Sequence, residues 1–169
     1  MTTRYQDLVA KVDAKSAEFQ QRYGERLLCK KGCSSCCLSG LSVFSVEKLA
    51  IQTWLAERPD LVKQLSAQAP QDGCSFLDAH GACQIYPVRP IICRTQGLPL
   101  AFKVEEQARR DVCPLNLEGT DLFSLPTDGV LNLDLLNTLL VLVDQVEGGE
   151  QAGQRFALDM DGILGAPAE

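Results

Sequence analysis

Eight cysteines stand between Cys29 and Cys113 of a 169-residue chain, and none follows. Four of them, Cys29, Cys33, Cys36 and Cys37, fall within nine residues; Cys74, Cys83, Cys93 and Cys113 come singly from later segments. A chain of this length can bury a core large enough to fold without cross-links. Its first residues, Met1-Thr2-Thr3-Arg4-Tyr5-Gln6-Asp7, carry an acid where a secretory peptide has its apolar stretch, which predicts a cytoplasmic protein. In that compartment such a set of thiols points to metal ligands before disulfides. Close spacing lowers the entropy of gathering soft ligands around one centre. Eight thiolates suffice for two four-sulfur zinc sites, for one four-iron cluster with cysteines to spare, or for two clusters.

The segments around the cysteines read mainly as helix. Tyr5, Leu8, Val9, Val12, Phe19 and Tyr23 recur at helical steps and predict an amphipathic helix between Thr3 and Gly24. The run from Cys29 to Cys37 has neither a helical nor an alternating period and reads as a loop. Leu38 to Phe44 is expected to be extended, with Ser45 capping a helix through Glu57 and Asp60 capping a second one over Leu61 to Ala69. Cys74 to Tyr86 contains the turn formers Asp78-Ala79-His80-Gly81 and predicts a short hairpin that brings Cys74 near Cys83. One helical turn at Ile91 to Arg94, a strand at Leu98 to Val104 and a loop from Leu115 to Pro126 complete the middle of the chain. Leu131 to Val146 is rich in leucine and valine and predicts a packed helix, with Leu139, Leu140 and Val143 turned to the core; the tail from Gly148 is expected to be mobile. The fold class is therefore mainly α: a single domain, 1–169, of helices around an irregular cysteine-rich core, 29–113, containing a short β-hairpin. A packing helix and acidic tail, 126–169, follow the core.

Charge and motifs remove several function classes. Lys and Arg outnumber Asp and Glu by 15 to 12 through Cys113 (+3), and beyond it Arg155 alone faces 10 acids (−9). Such a balance leaves no basic footprint for nucleic acid or for an anionic membrane, and no apolar run reaches the length of a membrane span. A single histidine offers no Ser–His–Asp set, and neither GxxxxGK[ST] nor GxGxxG occurs. Cys29-x3-Cys33-x2-Cys36 matches radical-SAM spacing, but the strand–helix repeats of that barrel are missing. Cys33-x2-Cys36 lacks the βαβ context of a redox pair and reads as chelating.

The order CxxxCxxCC, Cys74-x8-Cys83, Tyr86-Pro87-Val88-Arg89-Pro90-Ile91-Ile92-Cys93-Arg94 and a final Cys113 closely resembles the CxxCxxCC zinc- or iron-chelating domain, the YkgJ-type cysteine-cluster family. The first gap is three residues here, where the family's name implies two. The resemblance implies metal chelation by Cys29, Cys33, Cys36, Cys37, Cys74, Cys83, Cys93 and Cys113, with an iron–sulfur cluster or zinc as the cofactor. A related cysteine block in bacterial flagellin lysine methylases makes a component of a SAM-dependent lysine-methylase-type enzyme one alternative by analogy. A zinc-stabilised structural or interaction module is another.

Arg89 and Arg94 flank Cys93 and are expected to donate hydrogen bonds to thiolate or bridging sulfur, whereas Lys30 and Lys31 read as surface charge. His80 and Asp78 read as turn residues. The functional expectation is a metal-binding protein, with iron–sulfur slightly ahead of zinc. No catalytic residue can be named, and the partner is an unidentified protein or redox partner.

Overall fold

The computed structural model describes residues 2–30, 32–68 and 73–165. About 50% of the chain is helical, with two small sheets, in a single small domain. The first helix, α1 (Arg4–Tyr23), begins with a capping box. Thr3 Oγ1 accepts from Gln6 N at 3.1 Å, and Gln6 Oε1 accepts from Thr3 N at 2.9 Å. Its face of Tyr5, Leu8, Val12 and Phe19 is buried, as the periodicity predicts. Part of that face packs on α5 (Leu133–Glu147) through Leu136 and Leu140, and Glu147 at the far end of α5 accepts from the free Arg4 and Tyr5 N–H groups.

Strand β1 (Ser42–Phe44) leads directly into α2 (Ser45–Ala56). Ser45, expected as the N-cap, is instead the first helical residue, and Glu47 turns back to accept from Phe44 N at 2.9 Å. The Ser45 hydroxyl donates to Asp144 of α5, a 99-residue separation that no local rule could anticipate. Helix α3 (Pro59–Ser66) starts two residues earlier than the Asp60 cap would have it, because Pro59 is pre-organised for a first helical position; Ala69 lies outside the described residues. Residues Ile91–Thr95 form α4, which carries Cys93.

The hairpin falls elsewhere than expected. Between Cys74 and Cys83 only a single bridge, Leu77 to Cys83, is formed, with Asp78 Oδ1 accepting from His80 N and Ala82 N in an Asx turn. The true hairpin joins β2 (Leu100–Val104) to β3 (Gln107–Asp111) through Glu105 and Glu106, both at positive φ. The Gln-Ala-Arg-Arg-Asp of β3 has no apolar alternation, so only pairing with β2 reveals it as a strand. A parallel strand, β4 (Leu131–Asn132), adds to β2, and Asn132 then caps α5.

The tail from Gly148, expected to be weakly held, is packed on the core through the described residues. Strand β5 (Arg155–Ala157) pairs antiparallel with β1, and α6 (Met160–Leu164) follows. Leu158 and Ile163 join Val43, Ile51, Leu55 and Phe76 in the main apolar cluster. The carboxylate of Asp144, 0% exposed, accepts from Ser45 Oγ, Val46 N and Gly153 N, locking this tail to α2 and α5. No described helix is long and apolar enough to cross a membrane.

Candidate metal centre

Three cysteine-bearing segments converge on one cavity of about 490 Å³. The loop after α1 brings Cys29, Cys33, Cys36 and Cys37, wound by two turns in which Cys33 N donates to Lys30 O and Cys37 N to Ser34 O. The Asx-turn segment brings Cys74 and Cys83, and Cys74 N donates to Cys37 O at 2.9 Å, fastening the first two segments together. Helix α4 brings Cys93; Asn116 and Leu158 close the wall from later in the chain. All eight cysteines are free thiols, and seven line the cavity. Cys113 is the one that does not, although the sequence pattern grouped it with the others.

The seven thiols differ in setting. Cys74 is part of the main apolar cluster, and Cys37, Cys83 and Cys93 pack against it. Burial pushes the Cys83 thiol up from 9.0 to about 11 and that of Cys93 to about 12, helped by neighbouring sulfurs. Cys37 and Cys74 are raised for the same first reason. Cys36 is pushed to about 11 by burial and then by Cys37, Cys29 and Cys33. Neutral thiols are thus favoured in the metal-free cavity, and a bound cation must displace their protons.

The two arginines do different things. Arg89 lines the cavity with its guanidinium stacked on Tyr86, 3.9 Å from the ring centroid, and its charge favours the thiolates of Cys37 and Cys83. Its Nε is buried with no hydrogen-bond partner among the described residues. Arg94, 8% exposed, lines the cavity as well and was expected to donate to sulfur. Instead it donates to both carboxylate oxygens of Asp13, at 2.8 and 2.7 Å, and to Arg89 O and Pro87 O. Its role in this geometry is to clamp α1 to the turn before α4. Asp13 lies 81 residues away on a regular helix and carries no sequence signal of that contact. Helix α4 is held from its other side by Glu47, whose Oε1 accepts from Ile91 N at 2.9 Å. His80 is exposed and, like Asp78, is not among the lining residues.

The donor set is soft and rich in sulfur, and the unpartnered Arg89 Nε is a donor suited to a sulfur acceptor; both fit a thiophilic metal group. Among the described residues, no three His, Cys, Asp or Glu side chains form a site for a single metal ion.

The family model described as CxxCxxCC, "Putative zinc- or iron-chelating domain", matches residues 28–114, just over half of the chain. The chain belongs to that family. No curated protein and no solved structure matches it. The matched CxxCxxCC segment contains every cysteine and Arg89, while Ser16, Gln20, Leu27, Asn116 and Leu158 of the cavity wall come from outside it. The CxxCxxCC domain therefore does not enclose its cavity alone; α1 and the C-terminal tail supply part of the wall.

Proposed function

We propose that this CxxCxxCC protein binds an iron–sulfur cluster in the cavity, drawing its thiolates from the exposed Cys29 and from Cys37, Cys74, Cys83 and Cys93, with Arg89 donating to sulfur. The observation that carries the reading is the convergence of seven thiols on one cavity of about 490 Å³, with Cys74 buried in the main apolar cluster and Cys37, Cys83 and Cys93 packed against it. A four-thiolate zinc ion needs all its sulfurs about 2.3 Å from one centre. A cluster spans several metal atoms and fills a larger space, and seven thiols exceed the four that one zinc ion takes.

Bound there, a cluster would supply one-electron chemistry. The chain's own part is to exclude water from the inner thiols with Phe76, Ile85 and Leu158, and to supply a cation, Arg89, against the accumulated negative charge. Anaerobically purified protein is expected to contain iron and acid-labile sulfide and to absorb near roughly 400 nm. Zinc in place of iron, without sulfide, would replace this reading with a zinc-chelating one; protein free of both metals would refute both.

A further inference from the structure

The segment that begins at Cys113 reaches the cavity by a different side chain. Asn116 is 2% exposed, and its amide is fully engaged. Oδ1 accepts from Leu28 N at 2.8 Å, while Nδ2 donates to Gly97 O at 2.6 Å and to Cys29 Sγ at 3.2 Å. Asn116 N donates to Cys113 O at 2.8 Å, so Cys113 contributes its carbonyl to the turn that presents the amide. Asn116 is among the residues lining the cavity, and Cys113 is not.

Cys29 is the thiol most in need of such a support. It is exposed, and it is followed by a gap of three residues before Cys33, one more than the family's spelling. It has no place in the apolar cluster that holds Cys74 and packs against Cys37, Cys83 and Cys93. Gly97 confines the sulfur from another side: at φ +85° it favours glycine, and a Cβ there would collide with Cys29 Sγ. A thiolate accepts a hydrogen bond far better than a thiol does, so the Asn116 donor is worth most when Cys29 is bound to metal.

We propose that Asn116 is a positioning residue of the metal centre, holding Cys29 Sγ toward the cavity and stabilising it as a ligand, and that Cys113 is not a ligand. This rests on the metal-binding reading above. The test compares alkylation of individual cysteines by mass spectrometry, before and after chelator treatment, in anaerobically purified protein with its own metal. Cys29 should be labelled at least about tenfold more slowly with metal present, and Cys113 at the same rate in both states.

Asn116→Asp keeps the acceptor for Leu28 N and removes both donors. It should lose the protection of Cys29, weaken metal retention by about 10- to 100-fold and move the thiolate-to-metal absorption to longer wavelength. Asn116→Ser, which introduces no charge, should do the same, and circular dichroism identifies which variant is folded. Cys113→Ser should leave metal content and absorption unchanged. Metal protection of Cys113, or a folded Asn116 variant with unchanged absorption and unchanged Cys29 protection, would overturn the proposal while the metal-binding reading stands. A chain in which chelation changes the labelling of no cysteine would overturn that reading and the proposal with it.

Discussion

Cys93 shows how much of the site's chemistry is set by burial of single side chains. Its thiol is held near 12, against an ordinary 9.0, because a thiolate against Cys74, Cys83, Cys37 and Glu47 would be both desolvated and repelled. In the metal-free protein the folded thiol keeps its proton at a pH where the unfolded one releases it. The raised thiols therefore contribute stability that is complete below about pH 9 and is lost as pH rises toward 12. Denaturant midpoints of the reduced, metal-free protein are expected to fall between pH 8 and about 11, with no such fall for a Cys83→Ala, Cys93→Ala double variant over that range beyond the share of the remaining thiols. Metal works in the opposite sense: it binds thiolates, so retention should weaken as pH is lowered and protons compete for the same sulfurs.

At the scale of elements, α5 separates what a pattern can say from what packing decides. Its leucines and valines cover about half of the circumference, opposite Asp134, Asn137, Thr138 and Gln145, a face broader than α1 can cover, so the pattern does not say which of them reach the core. Leu136 and Leu140 are buried, whereas Leu135, Leu139, Leu142 and Val146 are exposed. Leu139, expected in the core, is 40% exposed; Leu140 is 4% exposed against α1. Leu140→Ala should cost about 2–5 kcal/mol in equilibrium unfolding, through lost apolar contact and a residual cavity. Leu139→Ala should change stability by less than about 0.5 kcal/mol, as surface substitutions do. Equal effects of the two would mean that α5 is rotated from the orientation described.

For the whole molecule, the C-terminal region is a structural partner of the metal-binding segment and not an appendage to it. Strand β5 completes the sheet with β1, Ile163 is fully buried, and Leu158 is both core and cavity wall. Deleting residues 150–169 removes all three, together with the Gly153 N–H that satisfies Asp144. The truncated chain is expected to have a markedly lower thermal midpoint and to lose metal and fold together. A truncated protein of unchanged midpoint would show that β5 and α6 add nothing to the core. Residues 2–27 and 115–165 lie outside the matched family segment, and they brace its cavity from two sides, through Ser16 and Gln20 and through Asn116 and Leu158.

Local chemistry made α1, α2, α5 and the irregular course of Cys29 to Cys37 legible in the sequence, since periodicity and cap residues act over a few positions. The cysteine spacing, with the Tyr86 to Arg94 segment, likewise carried the family and the chelating character, because ligand chemistry is written in residue type. Which thiols share a wall was not legible. Cys113 and Asn116 are three residues apart in a loop of turn formers, and only the turn between them decides that the amide and not the sulfur faces the cavity. The same holds for Arg94 with Asp13, for Ser45 with Asp144 and for β3. Each depends on a contact between segments whose separation in sequence has no bearing on their distance in space. A charged or polar side chain is committed to a partner only when folding brings that partner within hydrogen-bond reach and excludes water.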